Sequence, residues 1–300
     1  YLKTEICELL KKIKNTEKYK NQKKIMYYVK RNEQKEIVKK LIKKMGIRED
    51  RLSIDTSMHP FSTMISQNDV RITTKYSNPI ESFFASIHEA GHALYDLGLP
   101  KKYHDTVVYD AASFGMHESQ SIFWENMICK NELFWKGYFK KYKQNIKIDA
   151  TWKEFYEYVN HVKPTFIRMD ADEVTYCLHI IIRYEIEKDL IQGKLKVKDV
   201  KKVWNEKSKE LLGIVPKDDN DGVLQDIHWA DGDFGYFPSY ALGMIYSVQL
   251  FNDIKKRKID DMIIMRDFKL ILEYLRKNVH SKGKTMTAEE IIIKCCGKGL

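Results

Sequence analysis

Cysteine is scarce in this chain: Cys7, Cys129, Cys177, Cys295 and Cys296 make an odd number in 300 residues and show no metal-type spacing. On that pattern reduced thiols in a cytosolic protein are expected in preference to a disulfide framework. The adjacent Cys295 and Cys296 are read as packed or exposed residues without a redox role. Also missing is any apolar run long enough to span a bilayer, and Tyr1-Leu2-Lys3 does not open a secretory signal. No membrane partner is expected, and the cytoplasm is the expected location. Nor does the chain hold a nucleic-acid-binding motif. The net charge is +10, but the lysines are mixed with acids, as in Lys35-Glu36-Ile37-Val38-Lys39-Lys40, which describes a solvated surface. Nucleic acid is therefore not an expected partner.

What is present suffices for a substantial core. With 43% hydrophobic and 12% aromatic residues and no long linker, residues 1–300 are expected to form a single domain. The first 46 residues read as two amphipathic helices. From Arg51 to Tyr76, apolar residues alternate with polar ones, which predicts a small antiparallel sheet. Helices are predicted over 79–97, 115–130, 151–161, 171–191, 199–212, 239–257, 266–279 and 287–296, and 213–238 is the longest loop. A loop of that size inside a compact domain is more often functional than idle. The fold class is mainly α.

The chemistry begins at His88-Glu89-Ala90-Gly91-His92. Two histidines four apart on a helix lie on one face, so both imidazoles can reach a single metal ion. Glu89 flanks that face, where a carboxylate can take a proton from water without being a ligand. A third ligand has to come from elsewhere. The helix has its own start signal in Asn78-Pro79-Ile80-Glu81, and Gly98 and Pro100 mark its end. Gly91 sits mid-helix, where glycine costs roughly 1 kcal/mol relative to alanine. That cost suggests close approach of another backbone or of a ligand.

Further short segments accompany the histidine pair: His59-Pro60-Phe61, Asp69-Val70-Arg71-Ile72-Thr73-Thr74, His117-Glu118-Ser119-Gln120, Ile167-Arg168-Met169-Asp170-Ala171-Asp172 and Gly222-Val223-Leu224-Gln225-Asp226-Ile227-His228-Trp229. Together and in this order they resemble the motif set of the Taq-type thermostable metallocarboxypeptidases. The resemblance spans 1–300. It implies an α-helical zinc-metallopeptidase fold with a small sheet beside an active-site groove. Because family members are longer at the N-terminus and the chain lacks an initiator methionine, it is expected to be the catalytic C-terminal part of a longer protein.

The resemblance also implies roles. His88, His92 and Glu118 are the expected ligands of one zinc ion, with cobalt as an accepted substitute, and two histidines with one glutamate leave a position open for water. Glu89 is the expected general base, which returns its proton to the leaving amine. His228, Tyr240 and Tyr236 are candidate donors to the oxyanion. Arg168 is the expected anchor for a free C-terminal carboxylate, with Arg71 as a second candidate, while Gln225 and Asp226 shape or buttress the site. Asp96 is a candidate to orient His92, with a surface ion pair as the equal alternative, and His117 is assigned to packing or to a place behind the ligands. The expected activity is release of single amino acids from peptides with a free C-terminus, by a homodimer. A peptidyl-dipeptidase or oligopeptidase, and a noncatalytic metal- or peptide-binding protein, are the alternatives.

Overall fold

In the computed structural model, which describes residues 1–144 and 146–300, the chain forms two compact units, each assembled from two separated stretches. One comprises Tyr1–Lys24 and Glu157–Ala241, the other Ile25–Tyr156 and Leu242–Leu300.

The first unit is helical. On the helix Tyr176–Ile191, Leu178, Ile182 and Ile186 recur at four-residue spacing and form one apolar stripe. They pack with Leu10 of the helix Leu2–Lys14 and with Val200, Trp204 and Leu211 of the helix Val200–Leu211. The stretch 213–238 is mostly irregular, as predicted, but carries a short helix, His228–Asp231, closed by Gly232 at φ 86°.

In the second unit a three-stranded sheet precedes the histidine helix. Asp69–Thr74 is the central strand. It pairs antiparallel with Phe61–Ser66, its hairpin partner, and parallel with Leu52–Thr56, with Leu52 opposite Val70 and Thr56 opposite Thr74. The prediction of an antiparallel sheet is thus corrected for one of its two pairings. Two successive reversals restore the original chain direction, so the first and third strands run the same way.

The helix Pro79–Gly98 packs against this sheet. Its start follows the sequence signal: Asn78 Oδ1 accepts the Ile80 N–H at 3.0 Å, and Pro79 occupies the first turn, where no donor is lost. Phe83, Phe84, Ile87, Ala90, Leu94 and Tyr95 are buried. Phe83 lies among Trp135, Tyr138 and Tyr142 of the helix Glu132–Lys143, which the sequence reading missed. The helix predicted over 115–130 divides. It is α-helical over Phe114–Ile122 and widens to a π-helix over Phe123–Cys129. The two amphipathic helices expected in the first 46 residues are Leu2–Lys14 and Arg31–Met45, and they fall in different units.

Candidate metal centre

His88 and His92 project from one face of the helix Pro79–Gly98 with ring centroids 5.0 Å apart. The third donor is Glu118, on the helix Phe114–Ile122, whose first turn is capped by Ser113 Oγ accepting from Met116 N at 3.0 Å. Glu118 Oε2 lies 3.6 Å from His88 Nε2 and 3.3 Å from His92 Nε2. One ligand atom from each of the three residues falls within 4.8 Å of the others. Ligand atoms sharing a tetrahedral ion at about 2.0–2.1 Å stand roughly 3.3 Å apart. Both carboxylate–imidazole separations suit such an ion, and the two-nitrogen, one-oxygen donor set suits zinc.

Glycine makes this convergence possible. A Cβ on Gly91 would lie 2.6 Å from Ser121 Cα and 2.7 Å from the Gln120 carbonyl oxygen, so the two helices meet backbone to backbone there. The close approach read from the mid-helix glycine is therefore with a second backbone. Gly243 plays a similar part on the other side, where a Cβ would lie 2.6 Å from Glu118 Cγ.

The electrostatics separate the carboxylates. Burial alone would raise Glu118, but the neighbouring His88 and His92 overcome it and hold the carboxyl well below its ordinary range. Glu89, similarly buried, is pushed up to about 7, because burial outweighs the opposing charges of His88 and His117, with the nearby Glu118 charge adding to the rise. A proton acceptor and donor balanced near neutrality is what general acid–base work requires. Burial drives His92 down to about 4, with the His117 charge adding.

Two further groups surround the donors. His88 Nδ1 lies 2.8 Å from Glu125 Oε2, a contact that sequence reasoning missed although Glu125 stands two turns beyond Glu118. Asp96, a candidate either to orient His92 or to form an ion pair, lies 2.9 Å from His117 Nε2. The His117 ring, stacked on His92 with centroids 4.5 Å apart, has taken that carboxylate.

The other candidates divide between the units. Arg71, on the central strand of the second, is exposed and paired with Asp69 at 3.1 Å. Arg168, Gln225, Asp226, His228, Tyr236 and Tyr240 belong to the first. There the Arg168 guanidinium is buried: Nε and Nη2 donate to Asp226 at 3.1 and 2.8 Å, Nη1 donates to Tyr176 Oη at 3.0 Å, and the group stacks over the Tyr240 ring. A second buried arginine, Arg183, went unnoticed in the sequence. It donates to Asp226 Oδ2 at 2.6 Å and to Gln225 Oε1 at 2.7 Å. Two guanidiniums thus share one carboxylate. Burial would raise Asp226, but Arg183 and Arg168 hold it at about 2, and burial with repulsion from Arg168 lowers Arg183 to about 10. His228 Nε2 lies 3.0 Å from Tyr240 Oη, and the Tyr236 ring sits beside it at 5.3 Å. Burial keeps the His228 imidazole below its ordinary value.

Comparison with known proteins adds an independent line. The profile of the family described as Carboxypeptidase Taq (M32) metallopeptidase matches residues 1–300. Carboxypeptidase 1 of Bacillus subtilis is 41% identical over 90% of this chain and 55% of its own length. Thermostable carboxypeptidase 1 of Thermus thermophilus is 39% identical over 82% of this chain and 49% of its own. Among solved structures, metallocarboxypeptidase 1 of Trypanosoma cruzi matches with a TM-score of 0.94 and 32% identity, covering 100% of this chain and 64% of that one. The chain spans about half the length of the curated relatives it matches.

Proposed function

Because the chain belongs to the Taq-type (M32) metallocarboxypeptidase family, we propose that it hydrolyses the last peptide bond of peptides with a free C-terminus and releases single amino acids. The observation that carries this reading is the convergence of His88, His92 and Glu118 beside Glu89. We assign the three donors to one zinc ion, with cobalt able to replace it. A bound zinc ion supplies Lewis acidity, lowering the pKa of water and polarising a carbonyl.

The chain's own residues do the rest. Glu89, balanced near neutrality, takes a proton from the attacking water and hands it to the leaving amine. His228, held to Tyr240, and Tyr236 beside it are the donors assigned to the developing oxyanion. For the terminal carboxylate the anchor is Arg168. The buried cluster around it holds two guanidiniums for one carboxylate, a charge surplus that favours an anion, and Gln225 and Asp226 buttress the pair. Arg71, already engaged by Asp69 at the surface, is the second candidate.

In this reading residues 1–300 act as one catalytic domain of a cytoplasmic homodimer, with neither nucleic acid nor membrane as partner. No helix among the described residues is long and apolar enough to cross a membrane.

One incubation tests the activity. The zinc-loaded protein is given one peptide as the free acid, as the N-acetyl derivative and as the C-terminal amide, and the products are weighed. Single residues should leave the acid and the acetylated acid, while the amide resists. Cleavage of the amide at the same rate would indicate an oligopeptidase. No cleavage of any form, with zinc bound, would indicate a binding protein.

A further inference from the structure

The two histidine donors are held differently. His92 Nδ1 is buried without a hydrogen-bond partner among the described residues. His88 Nδ1 faces Glu125 Oε2 at 2.8 Å, and Glu125 Oε1 accepts from Lys130 Nζ, also at 2.8 Å. Both charged side chains are only 19% exposed, so water does little to weaken the pair.

This pairing needs the local widening of the helix. In an α-helix a residue five positions on is rotated by about 140°, so Glu125 and Lys130 would leave different faces. Here the Lys130 N–H donates to the Glu125 carbonyl at 2.8 Å, which closes a five-residue turn and sets Lys130 above Glu125. The Lys130 ammonium also lies over the Phe84 ring, 5.2 Å from its centroid, and is thereby braced against the histidine helix.

We propose that the Glu125–Lys130 pair, assembled by the π-helical turn, positions His88 for metal binding. Glu125 accepts the Nδ1 proton, which leaves the Nε2 lone pair directed toward Glu118 and His92. Lys130 fixes the carboxylate in that orientation. His88 is thereby the more firmly directed of the two histidines, because His92 Nδ1 has no such hydrogen-bond partner among the described residues and its ring is braced by stacking on His117. The inference rests on the metal-centre reading proposed above and names the residues that tune it.

Zinc and cobalt affinities, measured by chelator competition, test it on the wild type and on Glu125→Gln, Glu125→Leu and Lys130→Met. Glu125→Gln keeps the shape and can still accept the Nδ1 proton, so it isolates the loss of charge. It should weaken zinc roughly tenfold to a hundredfold, the usual cost of removing such a partner. Lys130→Met should weaken it less, and Glu125→Leu most. The visible absorption of the cobalt-loaded variants should shift as well. A purely structural role would instead lower the melting temperature of the metal-free protein with zinc affinity unmoved. Zinc affinity of Glu125→Gln within about twofold of wild type, in a folded variant, overturns the inference while leaving the metal centre standing. A wild-type protein that binds neither ion overturns the metal centre, and the inference with it.

Discussion

The Cα of Ser121 sits where a Cβ on Gly91 would come within 2.6 Å of it. Helix propensity alone predicts that Gly91→Ala gains roughly 1 kcal/mol. Overpacking against an immovable backbone costs typically 1–3 kcal/mol, and the obstacle here is backbone on both counts, Ser121 Cα and the Gln120 carbonyl. The clash should win. Gly91→Ala is expected to melt lower and, by moving Glu118 away from the histidines, to weaken zinc by roughly tenfold or more, a cost of about 1.4 kcal/mol. A variant as stable as wild type with undiminished zinc affinity would refute this.

The donors and the base should behave differently when changed. His88→Ala, His92→Ala and Glu118→Ala each delete one of three donors and should abolish both zinc retention and hydrolysis. Glu89→Gln preserves the shape of the side chain but not its basicity. It should keep zinc and lose at least ~10²-fold in turnover, the low end for a positioned acid–base group. Elemental analysis beside a peptide assay separates the two cases, and full turnover by Glu89→Gln would remove that residue from the mechanism.

In the first unit, two buried guanidiniums, those of Arg168 and Arg183, pair with the Asp226 carboxylate. Asp226→Asn leaves both uncompensated and should cost about 3–5 kcal/mol of stability. Arg168→Ala should cost less, because Asp226 keeps its bond to Arg183. The same variant should lose on the order of tenfold to a hundredfold in kcat/KM on free-acid peptides, the value of a charged hydrogen bond of about 1.5–3 kcal/mol. Urea midpoints in the reverse order would contradict the charge argument. An unchanged preference for acid over amide would move the anchor role to Arg71.

His280 provides a pH test. It is fully buried, its Nε2 lies 3.0 Å from Gln120 Oε1, and burial, with the Arg276 charge adding, pushes its imidazole down to about 3 from an ordinary 6.5. Between those values the unfolded chain takes up a proton that the folded chain refuses. The contribution is therefore fully present above about 6.5 and is lost as pH falls toward 3, at up to about 1.4 kcal/mol per pH unit. Gln at this position can donate to Gln120 without titrating. Wild type should lose stability relative to His280→Gln between about pH 7 and pH 5. A constant gap in urea midpoints over that interval would show that the buried imidazole does not titrate as argued.

How legible the site was depended on how local its signal is. The His88–His92 spacing, the cap at Asn78 and the misplaced glycine at Gly91 are all properties of one helix, and each appears in the structure as read. Glu125 was hidden because its contact with Lys130 depends on a π turn, which no periodicity announces. Arg183 was legible in principle. It stands directly after Ile180, Ile181 and Ile182, where an unpartnered charge would be too costly to bury. The helix Glu132–Lys143 was passed over although Phe134, Trp135, Tyr138, Phe139 and Tyr142 recur at helical spacing, since aromatics lean toward strands and Gly137 interrupts the run. The parallel strand pairing was beyond reach, because alternation marks strands but not their neighbours.

Each unit is discontinuous along the chain, and this bears on the order in which the protein can assemble during synthesis. Leu10 on the first helix shares its buried apolar cluster with Leu178, Ile182, Ile186, Val200, Trp204, Leu211 and Leu212. Those residues emerge from the ribosome after the whole stretch from Ile25 to Tyr156, which must itself wait for Leu242–Leu300 to close its own unit. During synthesis the helix Leu2–Lys14 therefore waits, its apolar face unsatisfied, until the stretch through Leu212 has been made. Long-range closure of this kind slows folding and prolongs exposure of sticky surface. The lysines around Leu10, at positions 3, 11, 12 and 14, give that helix a charged face that favours contact with water until its partners arrive.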